Sequence, residues 1–220
     1  MSEVERGNLD GALVSYEEGL DIARALHVEF GTPESRRDVI VFLDNVASIE
    51  QARGNLDGAI SRYKEGLEIR RALMAELGTP ESRRDVSISL NDIASIEEDR
   101  GHVASALAHY AEGLALFRAL AVEFGTHQDC LAYLWTAERT ATCHLAMNHP
   151  DAARTVLQPA EAVAIALESD ALDDGEVLGT CAAYWERRAE AAAHSDPQEA
   201  RACAVRAASI RTRIADINAE

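Results

Sequence analysis

The sequence predicts an all-α fold, a solenoid of about nine helices arranged as stacked antiparallel pairs. Three observations predict it. The chain repeats itself every 47 residues, only 5% of its residues are aromatic, and its apolar residues recur at helical rather than strand spacing. A core of Leu, Ile, Val and Ala suits helices better than a β-sandwich, which favours aromatic and β-branched side chains.

The repeat is explicit in the letters of the sequence. The segment RGNLDGA at residues 6–12 recurs at residues 53–59. Over the full period, residues 6–52 and 53–99 are identical at 30 of 47 positions. Chance does not produce agreement of this extent, so the chain contains a duplicated structural unit.

The repeat also sets the expected domain organisation. A single helix pair cannot bury both of its faces, so repeated units of this kind stack on one another. We therefore expect one domain, a single solenoid over residues 1–220. Its clear units are residues 6–52, 53–99 and 100–146, and its divergent units are residues 147–193 and 194–220.

Each unit is predicted to contain two helices. The segment Thr79-Pro80-Glu81 forms a helix start, with Thr as the N-cap, Pro in the first turn and an acid near the positive end of the helix dipole. The first helix is expected from about residue 82 to 100 and the second from about 103 to 123. Gly101 and Gly125 are expected to end them.

Similar signals predict the remaining helices and their packing. Ala106 and Gly113 are seven residues apart, so they share one helix face and allow a neighbouring backbone to approach closely. Helices are expected over residues 9–30, 129–147, 150–168, 175–193 and 197–218.

A spaced set of residues resembles a known family. The set comprises Leu90, Ile93, Ala94, Gly101, Ala106, Tyr110, Gly113 and Leu114, and it resembles the tetratricopeptide repeat. The period of 47 departs from the usual length of about 34 residues. Units of this greater length resemble those of kinesin light chains and of arrays in bacterial signalling proteins.

This resemblance implies a concave groove lined by the first helix of each unit. Carried onto this sequence, the groove positions are Val41, Asp44, Asn45 and Ser48, then Ile88, Asn91, Asp92 and Ser95, then Trp135, Glu138, Arg139 and Thr142, and in a shifted fourth unit Trp185 and Glu186. The asparagine amides could hold a peptide backbone, because each amide both donates and accepts hydrogen bonds. For Trp135 and Trp185, packing in the core is an equally good interpretation.

The function that this fold implies is binding of another protein or peptide by a non-catalytic scaffold. One alternative is a regulatory sensor that binds a small signalling peptide and controls an effector protein. A second is an enzyme carried by the divergent C-terminal third. The family's clamp for chaperone tails is not expected, because Asp44 and Glu138 would repel a terminal carboxylate.

Charge restricts the class of partner. The chain has 38 acidic and 21 basic residues and a net charge of −17. Nucleic acids and anionic membranes are therefore not expected as partners, and a basic or neutral protein is. Only Lys64 among the basic residues is lysine, which suggests a bacterial source. The absence of a signal sequence and of an 18-residue apolar run suggests the cytoplasm.

Residue patterns for chemistry are weak, so we expect no cofactor, no metal and no enzymatic activity. Phosphate-binding glycine loops and HExxH are absent. Cys143, His144 and His149 lack the four-ligand spacing of a metal site and a third residue to orient a nucleophile. The acidic loop 170–176 lacks EF-hand ligand spacing. The Arg36-Arg37-Asp38 cluster, repeated at residues 83–85, is expected to form surface ion pairs, with an anion-binding stripe as the alternative.

The first predicted helix aligns with the second helix of a unit, and it lacks a preceding partner. We expect its apolar stripe of Leu9, Leu13, Tyr16, Leu20 and Ala23 to be incompletely covered. Terminal repeats usually carry a polar outer face, and no such substitution is visible here. The expected cover is a second copy in a two-fold homodimer, with another partner or further sequence as alternatives.

Overall fold

The computed structural model describes residues 3–171 and 174–219. Over these residues it contains ten α-helices, one short 3-10 helix and no strand. The helices are α1 (Glu3–Phe30), α2 (Pro33–Ala52), α3 (Leu56–Leu77), α4 (Pro80–Asp99), α5 (Val103–Phe124), α6 (His127–Ala146), α7 (Pro150–Leu157), α8 (Glu161–Asp170), α9 (Gly175–Ala192) and α10 (Pro197–Ile217).

Most helices begin and end at the residues that the sequence indicates. Thr79 Oγ1 accepts a hydrogen bond of 3.2 Å from the amide of Ser82, and Thr32 caps α2 in the same way. At the other end of a helix, Gly78 adopts φ +62° and its amide bonds to the carbonyl of Met74. These caps satisfy backbone groups that lack a partner within the helix.

Helix α1 is longer than the sequence predicts, since it begins at Glu3 rather than near Leu9. The sequence around Gly7 repeats as that around Gly54, where φ is +80° and the chain turns between α2 and α3. The turn at Gly54 joins two helices that pack on each other. Around Gly7 the backbone is helical and belongs to α1, so the same letters adopt two different backbone structures.

The predicted helix over residues 150–168 is interrupted. A 3-10 turn at Gln158–Ala160 separates α7 from α8. Pro159 lies in this turn, and proline cannot donate the backbone hydrogen bond that a continuous α-helix requires. If α7 and α8 are counted as one interrupted helix, the described residues contain nine helices, in agreement with the prediction of about nine.

The chain divides into two compact units, at residues 1–99 and 100–220. In the first, α2 packs between α1 and α3, and α4 packs on α3. One of its cores consists of Leu20, Ala23, Val39 and Leu43. In the second unit α9 packs on α6, α7, α8 and α10 around a larger core. The organisation of both units as one array over residues 1–220 stays a prediction.

Small residues lie where helices approach closely. Ala59, Ala106 and Ala153, which are spaced by the repeat period, are all completely buried. At Gly19 on α1, a Cβ atom would overlap the ring of Phe42 on α2. The close approach of α1 and α2 therefore depends on the missing side chain at this position.

Candidate functional site

Three of the predicted groove residues meet in the first unit around two side chains of α3. Asp44 on α2 accepts a hydrogen bond from the Nη2 group of Arg70 on α3. Ser48, one turn further along α2, lies 3.1 Å from the hydroxyl of Tyr63. Asp92 on α4 interacts electrostatically with both Asp44 and Arg70. We call these five residues the Arg70 cluster.

The carboxyl group of Asp92 has the most perturbed acidity in this cluster. Its side chain reaches water, but the surrounding protein partly desolvates it and raises its pKa to about 6. The negative charge of Asp44 acts in the same direction, and the guanidinium of Arg70 opposes both. Because an ordinary aspartate titrates near pH ~4, Asp92 changes its charge much closer to neutrality than a typical surface acid.

Other predicted positions on α2 and α4 are less available to a partner. Asn45 donates a hydrogen bond of 2.8 Å to the carbonyl of Val41 in its own helix. Asn91 is buried, and Ser95 is half-buried. Burial places the Asn91 amide within the packed unit, which does not favour the expected role of this residue as a hydrogen-bonding partner for a peptide backbone.

In the second unit a pocket of about 300 Å³ lies between α6 and α9. The α6 side is lined by Trp135, Glu138 and Arg139, all predicted from the sequence. The α9 side is lined by Glu176, Gly179, Thr180 and Ala183, which sequence reasoning missed. Positions 176, 179, 180 and 183 lie along one face of α9, because they are spaced by about one helical turn. Three of these residues are small, and their helical spacing is the sequence signal that could have revealed this wall of the pocket.

The indole of Trp135 lies at the accessible side of this pocket. It is 37% exposed and packs edge-on against Tyr110, with ring centroids 6.0 Å apart. Tyr110 is fully buried, so it gives Trp135 a firm support. An aromatic ring held in this way offers an apolar surface whose ordering on binding costs little entropy.

Glu138 lies deeper, with 7% of its surface exposed. Its Oε1 atom accepts a hydrogen bond of 2.9 Å from the hydroxyl of Thr142 and lies 3.2 Å from Nε of Arg187 on α9. A buried carboxylate needs such partners, because removing it from water alone is very unfavourable. The ion pair with Arg187 also ties α6 to α9 beside the pocket.

Trp185 does not line the pocket, and its assignment to the groove was wrong. It is 3% exposed, and the guanidinium of Arg206 lies 4.5 Å from its ring centroid. Helices α6 and α9 begin 48 residues apart, at His127 and Gly175. This offset matches Trp185 with Ala137, a fully buried position of α6, and the alternative of core packing is the one that the structure shows.

The comparisons with known proteins agree with this architecture. The tetratricopeptide repeat family model matches residues 39–75, from α2 through most of α3. No curated protein matches the sequence.

Solved structures extend the tetratricopeptide likeness to nearly the whole chain. Crystal structures of nearly identical TPR-like repeats, described for a kinesin light chain of Podosopora anserina, have 16% identity to this sequence. One has a TM-score of 0.62 and covers 95% of this chain and 89% of its own, and the other has a TM-score of 0.58 and covers 98% and 89%. The predicted all-α, tetratricopeptide-like solenoid fold is confirmed.

The residues considered for chemistry lie in the second unit, residues 100–220. Cys143 is buried, and the imidazole rings of His144 and His149 have centroids 6.4 Å apart. Over the described parts of the chain, no group of three or more His, Cys, Asp or Glu side chains is placed to hold a metal ion. Burial raises the pKa of the Cys181 thiol to about 11, which keeps it protonated and unreactive at neutral pH.

The acidic loop and the arginine clusters are likewise structural where they can be described. Residues 172 and 173 of the loop lie outside the described residues. Asp174 caps α9 by accepting hydrogen bonds from the amides of Glu176 and Val177. Arg36 pairs with Glu76 on α3, as the ion-pair interpretation of this cluster expects.

None of the helices in the described residues combines the length and the apolar character that crossing a membrane requires.

Proposed function

We propose that this chain binds a protein or peptide on the surfaces lined by α2 and α4 and by α6 and α9, and that it catalyses no reaction itself. The proposal is supported by the tetratricopeptide repeat at residues 39–75, since repeats of this family generally act as interaction scaffolds. The observation that carries it is the pocket between α6 and α9, which combines an exposed indole with buried and exposed acids.

The chemistry of the lining favours a basic or neutral peptide. Trp135 offers a supported aromatic surface to an apolar side chain of the partner. Glu138 and Glu176 place two carboxylates around the pocket, and Arg139 supplies one cation. Glu138 is paired with Arg187, so the exposed Glu176 is the acid that a basic group of the partner would meet. The Arg70 cluster has two acids for one arginine. A partner with lysine or arginine beside an aliphatic residue is complementary to both surfaces.

Several finer expectations are retained as predictions. A cytoplasmic location and a bacterial source rest on the sequence alone. The absence of nucleic-acid partners rests on the net charge of −17.

A peptide library tests the proposal directly. Phage-displayed dodecapeptides would be selected on the immobilised chain, and enriched peptides would be synthesised with a fluorophore for anisotropy titrations. We expect enriched sequences to be basic and binding to weaken with added salt. Trp135→Ala is expected to weaken binding about tenfold or more, whereas Phe124→Ala, which removes another exposed aromatic residue in the same unit, leaves it unchanged.

Two results contradict the proposal. The first is a selection that enriches no peptide above the level seen on an unrelated acidic protein. The second is a set of peptides whose affinity is the same for the wild type and Trp135→Ala. In both cases circular dichroism of the variants would verify that the units remain folded.

A further inference from the structure

Helix α1, in the first unit, carries an exposed apolar stripe. The stripe consists of Ile22, Leu26 and Phe30, which are 62%, 40% and 61% exposed. Residues spaced by four lie on successive turns of one helix face. Single exposed apolar side chains are ordinary on protein surfaces, but a continuous row of three large ones marks a contact surface.

The internal repeat shows what this stripe is shaped to contact. The residues that follow it by 47 positions are Ile69, Leu73 and Leu77 of α3, and two of the three are identical. Leu73 is only 5% exposed. Ile69 packs against the core to which α1 and α2 contribute. In α3 the same face is therefore a helix-packing surface.

A third copy of the same position leads to the same conclusion. Leu120 on α5, which corresponds to Leu26 and Leu73, is completely buried. The position is thus buried in α3 and in α5 and exposed only in α1. The difference lies in the surroundings and not in the residue, because all three are leucine.

The charge at the end of the stripe gives the contact a chemical signature. Glu29 corresponds to Glu76 of α3, and Glu76 pairs with Arg36 of α2. In α2 this arginine precedes the buried residues Val39 and Leu43 by three and seven positions. The helix that covers α3 therefore combines an arginine with two aliphatic residues in a fixed spacing.

We propose that the α1 stripe docks an amphipathic helix of a partner protein, one that presents an arginine to Glu29 and aliphatic residues three and seven positions later to Leu26 and its neighbours. This inference concerns a surface distinct from the proposed peptide pocket and does not depend on it.

Charge favours a separate partner over a second copy of this chain. Glu18 and Glu29 are exposed, and helical spacing places both along the edge of the stripe, since they are four residues before and seven after Ile22. A two-fold contact between α1 stripes would bring the acids of both copies together, and like charges at an interface oppose association. Helix α2 of a second copy is not free to dock, because it is already packed between α1 and α3.

A synthetic peptide tests this proposal without knowledge of the natural partner. The probe is a fluorophore-labelled peptide of residues 33–52, which is the sequence of α2, titrated with the full chain and followed by anisotropy. We expect saturable binding that Leu26→Asp weakens about tenfold or more, because a charge would replace a buried aliphatic contact. Val122→Asp, which changes a valine that is 82% exposed on α5, is the matched control and leaves binding unchanged.

A second set of titrations tests the proposed ion pair between Arg36 of the peptide and Glu29 of the chain. A peptide with Arg36→Ala is expected to bind the wild-type chain about two- to fivefold more weakly. The same peptide and the unaltered peptide should bind a Glu29→Ala chain equally, because the pair is then absent in both cases.

Three outcomes overturn the proposal. One is no binding at any concentration at which the peptide stays soluble. Another is equal binding by the wild type and Leu26→Asp, which would mean that the peptide exchanges with the chain's own α2. The third is a dimer of the chain that forms without peptide and is abolished by Leu26→Asp, since a second copy would then occupy the stripe. Leu26 is partly exposed, so circular dichroism should show that Leu26→Asp remains folded.

Discussion

Asp44 on α2 and Asp92 on α4 interact with the same guanidinium, that of Arg70 on α3. Arg70 donates a hydrogen bond only to Asp44 of the two, which leaves Asp92 with a raised pKa of about 6. One cation thus links three consecutive helices of the first unit, although it donates a hydrogen bond to only one of the two acids.

The first prediction concerns the titration of Asp92. In the wild type its carboxyl resonance, followed by NMR, should titrate with a midpoint near 6. Asp44→Asn should lower this midpoint, because it removes a like charge and frees Arg70 to pair with Asp92. Asp38→Asn, an equal change of charge at an exposed position of α2, is the control. An unchanged midpoint in Asp44→Asn would show that the two acids are not coupled.

The second prediction follows from the sign of this shift. The folded state holds the Asp92 proton to higher pH than the unfolded state, whose aspartates titrate near pH ~4. The free energy of unfolding should therefore fall as the pH rises from about 4 to 6. Asp92→Asn removes this contribution, so urea unfolding should show the variant gaining stability relative to wild type between pH 4 and pH 7. A pH-independent difference between the two proteins would exclude Asp92 as the cause.

The third prediction separates Arg70 from its neighbour Arg71. Arg70→Met leaves the acids of the cluster uncompensated and should lower the free energy of unfolding by about 1–3 kcal/mol. Arg71 makes an exposed pair with Glu68 of its own helix, so Arg71→Met should change stability by less than about 0.5 kcal/mol. Urea unfolding at pH 7 measures both. Equal effects would mean that the Arg70 cluster contributes no more than an ordinary surface pair.

The fourth prediction uses two glycines of α1. Gly19→Ala places a Cβ against the Phe42 ring and should destabilise the first unit by about 1–3 kcal/mol. Gly11→Ala meets no atom within 4 Å and should stabilise α1 by roughly 0.5–1 kcal/mol through better helix propensity. The double variant Gly19→Ala/Phe42→Leu should regain part of the free energy of unfolding that Gly19→Ala alone loses. If both alanine variants unfold at the same urea concentration, the close approach of α1 and α2 is not as described.

The fifth prediction distinguishes the two tryptophans. Single-tryptophan variants, Trp135→Phe and Trp185→Phe, allow each indole to be observed separately by fluorescence. Acrylamide should quench Trp135, which is exposed at the pocket, and should hardly reach Trp185, which is enclosed by Tyr184 and Arg206. Similar quenching of both would contradict the burial of Trp185 and reinstate it as a groove residue.

The helices were predictable from the sequence because their ends carry local chemistry. Threonine caps such as Thr79 and stop signals such as Gly101 act within a few residues of the helix end. The start of α1 was not predictable in this way, because the same letters form a turn around Gly54 and a helix around Gly7. Local sequence specifies a turn only where tertiary contacts support it.

The candidate site was predictable only where the repeat keeps its period. Trp135, Glu138 and Arg139 follow the spacing of α2 and α4, and all three line the pocket. The opposite wall lies on α9, which comes after the interrupted helix of α7 and α8 in the sequence. The interval between helix starts is 47 residues from α2 to α4 and from α4 to α6, but 48 residues from α6 to α9. That change was enough to move Trp185 from a predicted groove position to a core position, since neighbours in a helix point about 100° apart.

The similarity of residues 6–52 and 53–99, which agree at 30 of 47 positions, also has a kinetic consequence for the first unit. Each of its helices packs on the helix next to it in the chain, so its contacts are short in sequence and folding should be fast. The same similarity allows α1 to compete with α3 as a neighbour of α4. A chain that pairs α1 with α4 would leave α2 and α3 looped out, and would have to dissociate before it could fold correctly. We therefore expect a minor slow phase in refolding of the first unit, which grows when substitutions make the two copies more alike and shrinks when they are made to differ.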